Sequence, residues 1–426
     1  MFVRFALTSI VLLVFVSAAR NVRAENDYEI VHQFPYGSGV VLPTSLIAID
    51  SKLYGTSFGG GSVYTLNPDG SEFQLLHQFT LQGHSYPLGK LSTDGVRLYG
   101  TTSDVGDYET QEVTGSIFSI NFDGSDFQTL HAFDAVAGNT PRSGVTIVGS
   151  KMYGTTSSGG ANGSGSVYSA NLDGSDCQTL HSFGPSTTAA SNFNSAITWI
   201  DSKLYGTMSS GGDYGKGLLY SMNSDGTDFQ IIHQFDGAAG SEPATQLLFD
   251  GVTIFGTTTR GGLLNYGTVF SIRPDGTDYQ VLHQFSGATL HDPLDGAYPM
   301  GDLILLGNTL YGTNIGWLPN SGFYLTGVIG TSPNLPTGWN STVFSLDRDG
   351  TDFEVLHQFY IGQDESSTNA GLVAIGNTLY GTNLQIFRNP VVYSITVPET
   401  PSYAMVGLVF GFVLIRVIAR TDKSTN

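Results

Sequence analysis

The strongest constraint on the fold is a short triplet, Tyr-Gly-Thr or once Phe-Gly-Thr, that recurs along this 426-residue chain. A second triplet, His-x-Phe, recurs equally often and alternates with the first. Repetition at a spacing of roughly 50 residues is typical of stacked or ring-shaped repeat architectures rather than of one irregular domain. The first triplet begins at Tyr54, Tyr99, Tyr153, Tyr205, Phe255, Tyr311 and Tyr380, and the second begins at His32, His77, His131, His181, His233, His283 and His357.

Each repeat contains four short runs of β-branched and aromatic residues, separated by Gly, Asp, Asn and Ser. Such runs and separators are typical of strands and turns, and no helical periodicity intervenes. We therefore expect four-stranded antiparallel blades arranged in a ring, an all-β β-propeller. The Gly of each first triplet indicates a close backbone approach. In the first repeat the runs are Leu46–Ile49, Leu53–Thr56, Val63–Leu66 and Phe73–Phe79.

The order of the runs predicts how the ring closes. Tyr28–Phe34 matches the fourth run of a repeat but follows no first, second or third run, whereas the last repeat has three runs and no fourth. We predict that the N-terminal strand completes the last blade, which gives a seven-bladed β-propeller over residues 25–396. Removal of residues 25–35 should then destabilise the whole ring.

Both terminal segments indicate export. Residues 1–24 combine a positive Arg4, an apolar stretch and small residues before a cleavage position after Ala24, which is typical of a signal peptide. In residues 397–426 the apolar run Tyr403–Ile415 is followed by basic residues, which predicts a membrane-anchoring or sorting segment with the body outside that membrane. We expect the protein at the cell envelope or cell surface, at least transiently anchored in the membrane.

The composition of the propeller region narrows its partners. Residues 25–396 hold 11 basic and 34 acidic side chains, a formal charge of −23, which disfavours nucleic acid. Cys177 is the only cysteine, so an intramolecular disulfide is excluded and stability must come from packing. Other repeats have Phe or Tyr at this position, which predicts that Cys177 is a buried apolar thiol.

The connections between runs differ between the two faces of the predicted ring. Those between runs one and two and between runs three and four are short and uniform, whereas the others vary in length, as binding loops usually do. The longest spans 314–340, and its aromatic rings could stack on sugar or peptide, or could pack this loop onto the propeller. The candidate ligand-binding residues are Trp317, Phe323, Tyr324 and Trp339.

Other patterns suggest chemistry but also have structural explanations. The repeated Asp-Gly turns could hold calcium weakly, although Asp-Gly is also a strong hairpin signal, and we expect no other cofactor. Equivalent positions on a ring lie too far apart for the repeated histidines to share a metal, so we expect hydrogen-bonded side chains on the outer strand. His84 and His291 lie outside the repeat pattern and are the histidine candidates for catalysis. The turns contain Asp69, Asp123, Asp173, Asp225, Asp275 and Asp349.

The repeat also resembles a known family. The segment from Tyr153 to Tyr168, followed by Asp173-Gly-Ser and Leu180-His-Ser-Phe183, resembles the GloVer-type tandem repeat of exported, choice-of-anchor bacterial proteins. The segment 397–405 is similar to a PEP-CTERM sorting signal. This resemblance implies display on the envelope or extracellular matrix of a Gram-negative-type bacterium and processing by an exosortase-like enzyme. The family is defined by its repeat pattern, so the resemblance carries over no active-site residue and points to no catalytic activity. The residues of the sorting motif are Pro398, Glu399 and Pro401.

Three functions are compatible with these features. We expect a non-catalytic surface propeller that binds glycan or protein through its variable face. One alternative is a polysaccharide hydrolase or lyase with acidic residues from several blades near the channel mouth, since propellers host such chemistry. The other is a structural matrix component without a discrete ligand. No Ser/His/Asp set or carboxylate pair has a spacing that by itself predicts an active site.

Overall fold

The computed structural model describes residues 27–35, 37–58, 60–79, 85–104, 115–134, 138–184, 195–289, 292–315, 341–359, 366–367, 371–385 and 389–398. Within these ranges the protein is all-β and contains no helix, and its strands form seven antiparallel blades in a ring. The predicted seven-bladed β-propeller is therefore confirmed. The described ranges also contain no helix that could span a membrane.

Four blades consist of four strands in sequence order, and the first strands of neighbouring blades contact one another around the central channel. Strands are numbered along the chain, and β1 (Tyr28–Gln33) belongs to the last blade. Blade 1 contains β2 (Pro43–Ile49), β3 (Lys52–Ser57), β4 (Ser62–Leu66) and β5 (Gln74–Gln78); blade 3 contains β11 (Thr146–Val148), β12 (Lys151–Thr156), β13 (Ser166–Asn171) and β14 (Gln178–Ser182); blade 4 contains β15 (Thr198–Ile200), β16 (Lys203–Met208), β17 (Leu218–Asn223) and β18 (Gln230–Gln234); blade 6 contains β26 (Ile304–Leu306), β27 (Thr309–Asn314), β28 (Ser341–Asp347) and β29 (Glu354–Phe359).

In the other three blades two short strands pair with the second strand in place of one continuous first strand. Pro87 follows the leading piece in blade 2 and Pro243 ends it in blade 5, where proline removes an amide donor from the ladder. Blade 2 contains β6 (Ser85–Tyr86), β7 (Ser92–Thr93), β8 (Arg97–Asp104), β9 (Gly115–Asn121) and β10 (Gln128–Ala132); blade 5 contains β19 (Ser241–Pro243), β20 (Leu248–Phe249), β21 (Ile254–Arg260), β22 (Thr268–Ile272) and β23 (Gln280–Gln284); blade 7 contains β30 (Ser366–Ser367), β31 (Val373–Ile375), β32 (Thr378–Gln385), β33 (Val391–Thr396) and β1.

The N-terminal strand closes the ring, as the order of runs predicted. β1 pairs antiparallel with β33, so that Tyr28 faces Ile395 and Gln33 faces Val391. The amide of Phe34 extends this pairing by donating to the carbonyl of Pro390 at 2.9 Å. Seven clusters of buried side chains fill the seven junctions between neighbouring blades, including the junction of blades 7 and 1.

The Tyr-Gly-Thr triplet on each second strand joins neighbouring blades. Its aromatic residue is buried against the next blade; Tyr153 of blade 3, for example, packs with Ile197 and Leu204 of blade 4. Its glycine lies beneath an aromatic ring of the third strand, because a Cβ at Gly206 would overlap the ring and hydroxyl of Tyr220. The predicted close approach is thus made by a ring rather than by another backbone. In blades 1, 2, 3 and 7 the threonine hydroxyl donates to a carbonyl of the next blade, in the pairs Thr56–Gly89, Thr101–Ser143, Thr155–Ser195 and Thr382–Pro43.

The histidines of the His-x-Phe triplets lie on the outer strands and stack on aromatic side chains of the following blade. His77 stacks on Phe127 with ring centroids 3.7 Å apart, and five other histidines make the same contact. His131 is the exception, because blade 3 has Cys177 at this position. Cys177 is half-buried against the core of blades 2 and 3, and burial raises the pKa of its thiol to about 11. Stacking between blades, rather than hydrogen bonding alone, therefore explains the repeated histidine.

The Asp-Gly turns connect the third and fourth strands of the first six blades. In blade 4 the Asp225 carboxylate accepts the amide of Thr227 at 2.9 Å and its hydroxyl at 2.6 Å, and these bonds lower the pKa of Asp225. The turn glycine, Gly226, lies against the carbonyl of Leu180 on the outer strand of the preceding blade, where a Cβ would overlap it. The same contacts recur in the other five turns, so these carboxylates stabilise hairpins that pack on the neighbouring blade.

Candidate ligand-binding site on the variable face

Most candidate residues predicted from the sequence lie outside the described residues. They are Trp317, Phe323, Tyr324, Trp339, His84, His291, Glu399 and Pro401. Pro398 is the one member of the sorting motif that the structure describes, and it is exposed just after β33. The geometry of a site must therefore be built from residues that the sequence did not single out.

Three connections that enter blades from the variable face share a Gly-x-x-Pro pattern, which begins at Gly138, Gly240 and Gly296. The residue before each proline has a left-handed backbone: φ is 58° at Thr140, 57° at Glu242 and 60° at Tyr298. This conformation is costly for a residue with a Cβ, and for a bulky residue such as tyrosine it is a marked outlier. The pattern was visible in the sequence and could have directed attention to Glu242 and Tyr298.

Glu242, Arg260, Tyr266 and Tyr298 form a compact group, the rim cluster, at the junction of blades 5 and 6. Arg260 Nε lies 3.3 Å from Glu242 Oε2, and the guanidinium carbon of Arg260 lies 5.5 Å from the centroid of the Tyr298 ring. The rings of Tyr266 and Tyr298 meet edge to face, with centroids 5.7 Å apart. Both side chains of the ion pair are about one third exposed or less, at 26% for Arg260 and 33% for Glu242. The cluster is a half-open site with a cation, a carboxylate and two aromatic rings.

Regular structure fixes the positions of these side chains. Arg260 is the last residue of β21 and pairs with Ser241 of β19, which places it beside Glu242. The amide of Tyr298 donates to the carbonyl of Tyr266 at 2.8 Å, and its carbonyl accepts the amide of Ile315 at 3.3 Å. Burial raises the pKa of the Tyr298 phenol, so this hydroxyl remains protonated at neutral pH. The site is therefore held by backbone bonds on both sides.

A hairpin that the sequence did not predict lies beside the cluster. It consists of β24 (Gly287–Thr289) and β25 (Asp292–Gly296), in the connection from blade 5 to blade 6. The carbonyl of Asp295 accepts the Asn314 side-chain amide at 3.2 Å and the Thr342 hydroxyl at 3.4 Å. Asn314 and Thr342 lie near the two ends of segment 316–340, which carries the predicted aromatic residues. The hairpin therefore contacts described residues that flank this segment on both sides.

Asp295 of this hairpin contacts His283 of β23 and Ser286, but the geometry of this Ser, Asp and His group is that of an anchor. The two carboxylate oxygens of Asp295 bond His283 Nε2 at 2.8 Å and the Ser286 hydroxyl at 2.7 Å. A nucleophilic serine must instead donate to the histidine that serves as its base. Because the carboxylate stands between Ser286 and His283, this group fixes the hairpin to the outer strand and does not form a catalytic relay.

The described residues contain no group of three His, Cys, Asp or Glu side chains close enough to hold a metal ion. Loops between the second and third strands surround the rim cluster, and their tips are exposed in blades 4 and 5. Tyr214 has 62% of its surface exposed, and its loop is held by Gln234, which accepts the amide of Asp213 at 2.6 Å. The corresponding Gln284 accepts the amide of Leu263 at 2.8 Å. The glutamine of the His-Gln-Phe triplet thus positions these loops in blades 4 and 5.

Comparison with solved structures supports the fold alone. The propeller is similar to the GH74 enzyme of Niastella koreensis, with a TM-score of 0.55 and 12% identity over 85% of this chain and 55% of the other. It is also similar to a chain in a crystal structure of the mitotic checkpoint complex, with a TM-score of 0.52 and 9% identity over 93% of this chain and all of the other. No curated protein sequence matches the chain.

The repeat itself is more informative. The model of the Gloeobacter/Verrucomicrobia repeat matches residues 21–198 and again residues 108–324, which together span most of the chain and the first five blades. The triplets, stacked histidines and Asp-Gly hairpins described above are the structural form of this repeat. The protein belongs to the Gloeobacter/Verrucomicrobia repeat family.

Proposed function

We propose that this protein is an exported, non-catalytic propeller that binds a glycan on its variable face, at the rim cluster of Glu242, Arg260, Tyr266 and Tyr298. The observation that supports this most strongly is the backbone of Tyr298, which keeps a bulky residue at φ 60° beside a partly buried ion pair. A glycine would relieve that strain. Strained positions that keep a large side chain concentrate at binding sites.

The side chains of the cluster suit a sugar. A tyrosine ring offers an apolar face to the C–H groups of a sugar ring, and Arg and Glu supply donors and acceptors for neighbouring hydroxyls. Because Glu242 balances the charge of Arg260, a neutral glycan fits this site better than a charged one. The aromatic candidates Trp317, Phe323, Tyr324 and Trp339 would extend the same surface, since Asn314 and Thr342, which flank their segment, contact the hairpin beside the cluster.

Binding to a glycan array, followed by calorimetry with the best neutral oligosaccharide, tests this proposal. We expect Tyr298→Ala and Arg260→Gln each to weaken binding about tenfold or more, which corresponds to ~1.4 kcal/mol. Tyr214→Ala is the matched control, because this tyrosine is exposed on the neighbouring loop and lies outside the cluster. Its affinity should remain within about twofold of wild type. The proposal would be wrong if no neutral glycan binds, or if Tyr298→Ala binds as tightly as wild type.

The cellular location is part of the same proposal. Residues 1–24 have the pattern of a signal peptide, and residues 397–426 that of a PEP-CTERM-like anchor for exosortase processing. In cell fractionation we expect the full chain in the envelope and a variant without residues 397–426 in the medium or periplasm. Cytoplasmic retention of the full chain would contradict this location.

A further inference from the structure

The described part of the chain leaves three cations without an ionic partner, although the propeller region has about three acidic side chains for each basic one. Seven of the ten Lys and Arg side chains in the described residues form ion pairs with carboxylates. They are Lys52, Arg97, Lys151, Lys203, Arg260, Arg273 and Arg348. The unpaired cations are Lys90, Arg142 and Lys216. Where carboxylates are so abundant, unpaired cations require an explanation.

Two of the three lie together at the mouth of the central channel. Lys90 comes two residues before β7 and Arg142 four residues before β11, which are first strands of neighbouring blades. The two segments touch at their backbones, because a Cβ at Gly144 would overlap the carbonyl oxygen of Lys90. Both side chains are half-buried. The described segments that meet at the inner rim of blades 2 and 3 therefore bring two positive charges to the same part of the ring.

The Nε donor of Arg142 also lacks an uncharged hydrogen-bond acceptor among the described residues. This Nε is buried and has no hydrogen-bond partner among the residues that the structure describes. Burial lowers the pKa of the guanidinium, so the surroundings disfavour a charge that arginine nevertheless keeps at any physiological pH. A buried charge without a partner is costly, and an anion that binds to it offsets part of this cost. Asp302, an acid near the first strand of blade 6, lies three blades away in either direction and accepts the amide of Gln246 at 2.8 Å.

We infer that Arg142 and Lys90 form an anion-binding site at the channel mouth, and that its ligand is the carboxylate of a uronic acid sugar. A guanidinium presents parallel N–H donors that match the two oxygens of a carboxylate, and a nearby ammonium adds a second charge. The site lies on blades 2 and 3, away from the rim cluster on blades 5 and 6. It thus goes beyond the proposed binding of neutral glycan and does not depend on it.

The net charge of the propeller region limits the kind of anion. At −23 this region repels extended polyanions, but salt screens exposed charges beyond about 8 Å at physiological ionic strength. A ligand with one carboxylate on an otherwise neutral sugar therefore experiences mainly Arg142 and Lys90. A nucleic acid or a heavily sulfated chain would place many of its charges against acidic surface.

Isothermal titration of the full chain with D-galacturonic acid, its methyl ester and acetate tests this inference. Galacturonate should bind at least tenfold more tightly than the ester, which lacks the charge, and more tightly than acetate, which lacks the sugar. Arg142→Gln should weaken galacturonate binding about tenfold to a hundredfold, and Lys90→Gln about threefold. Lys216→Gln removes the third unpaired cation, in a loop of blade 4, and is the matched control; its affinity should stay within about twofold of wild type.

The melting temperature separates binding from structure. Because Arg142→Gln removes an unpartnered charge, its melting temperature without ligand should equal or exceed that of wild type, and added galacturonate should no longer raise it. A lower melting temperature or failure to fold would show that Arg142 supports the structure and would overturn the site. Equal binding of acid and ester by wild type, equal binding of acetate and galacturonate, or unchanged affinity in Arg142→Gln would overturn it as well. The outcome with Tyr298→Ala is independent, so failure of the rim cluster can be recognised separately.

Discussion

The residues repeated in every blade and the residues of the rim cluster follow opposite rules. Nearly every repeated residue makes the same kind of contact with a neighbouring blade, whether as a stacked histidine, a buried tyrosine or a turn glycine. At the rim cluster Glu242 and Tyr298 adopt a strained backbone, and Arg260 links the two side chains. Repetition therefore marks the residues that hold the ring together, and departures from it mark the surface available for ligands.

Deletion of residues 25–35 tests the repeated blades at the point where closure of the ring depends on one strand. Without β1, blade 7 loses its fourth strand and β33 is left as an exposed edge, so we expect cooperative folding to be lost or the melting temperature to fall by more than about 15 °C. Binding at the rim cluster should be lost too, although no residue of that cluster is removed. Circular dichroism melting measures the effect, and an unchanged transition would mean that β1 does not close the ring.

Gly206→Ala tests the packing of a repeated glycine inside one blade. The new methyl group would overlap the ring of Tyr220, and overpacking of this kind costs about 1–3 kcal/mol. Gly184→Ala is the matched control, because no atom lies within 4 Å of a Cβ there and its φ is ordinary. Its free energy of unfolding should change by less than about 0.5 kcal/mol in urea titration. Equal stability of the two variants would refute the close contact between ring and glycine.

Cys177→Phe has the smallest expected effect on stability. It restores the aromatic residue that other repeats have at this position. Six outer-strand histidines stack on an aromatic ring of the following blade, and only His131 faces a cysteine. A phenylalanine should complete the series and raise the free energy of unfolding by about 1 kcal/mol. Cys177→Ala should lower it, since it removes half-buried surface without adding a ring. Destabilisation by the phenylalanine would show that stacking is not what selects this position.

The sequence predicted the ring and its closure because both follow from the order of strongly patterned runs, such as Tyr28–Phe34. It missed the stacking of His77 on Phe127, because these residues are distant in sequence and meet only when two blades pack. It missed the hairpin Gly287–Gly296 because that segment lacks alternating apolar residues. The rim cluster was overlooked although Gly240-x-x-Pro and Gly296-x-x-Pro repeat an earlier segment. Trp317, Phe323, Tyr324 and Trp339 stay a prediction.

The closure of the ring by β1 can be tested most directly by a crosslink between facing residues of the seam. Glu29 faces Ser394 across the pair, so cysteines at these two positions, in a protein in which Cys177 is replaced by serine, should form a disulfide on mild oxidation. Cysteines at Glu29 and Val391 serve as the control, because Val391 lies three residues before Ser394 on β33 and faces Gln33. We predict an intramolecular crosslink in the first variant and little in the second. No crosslink in the first, or equal yields in both, would contradict the closure of the propeller.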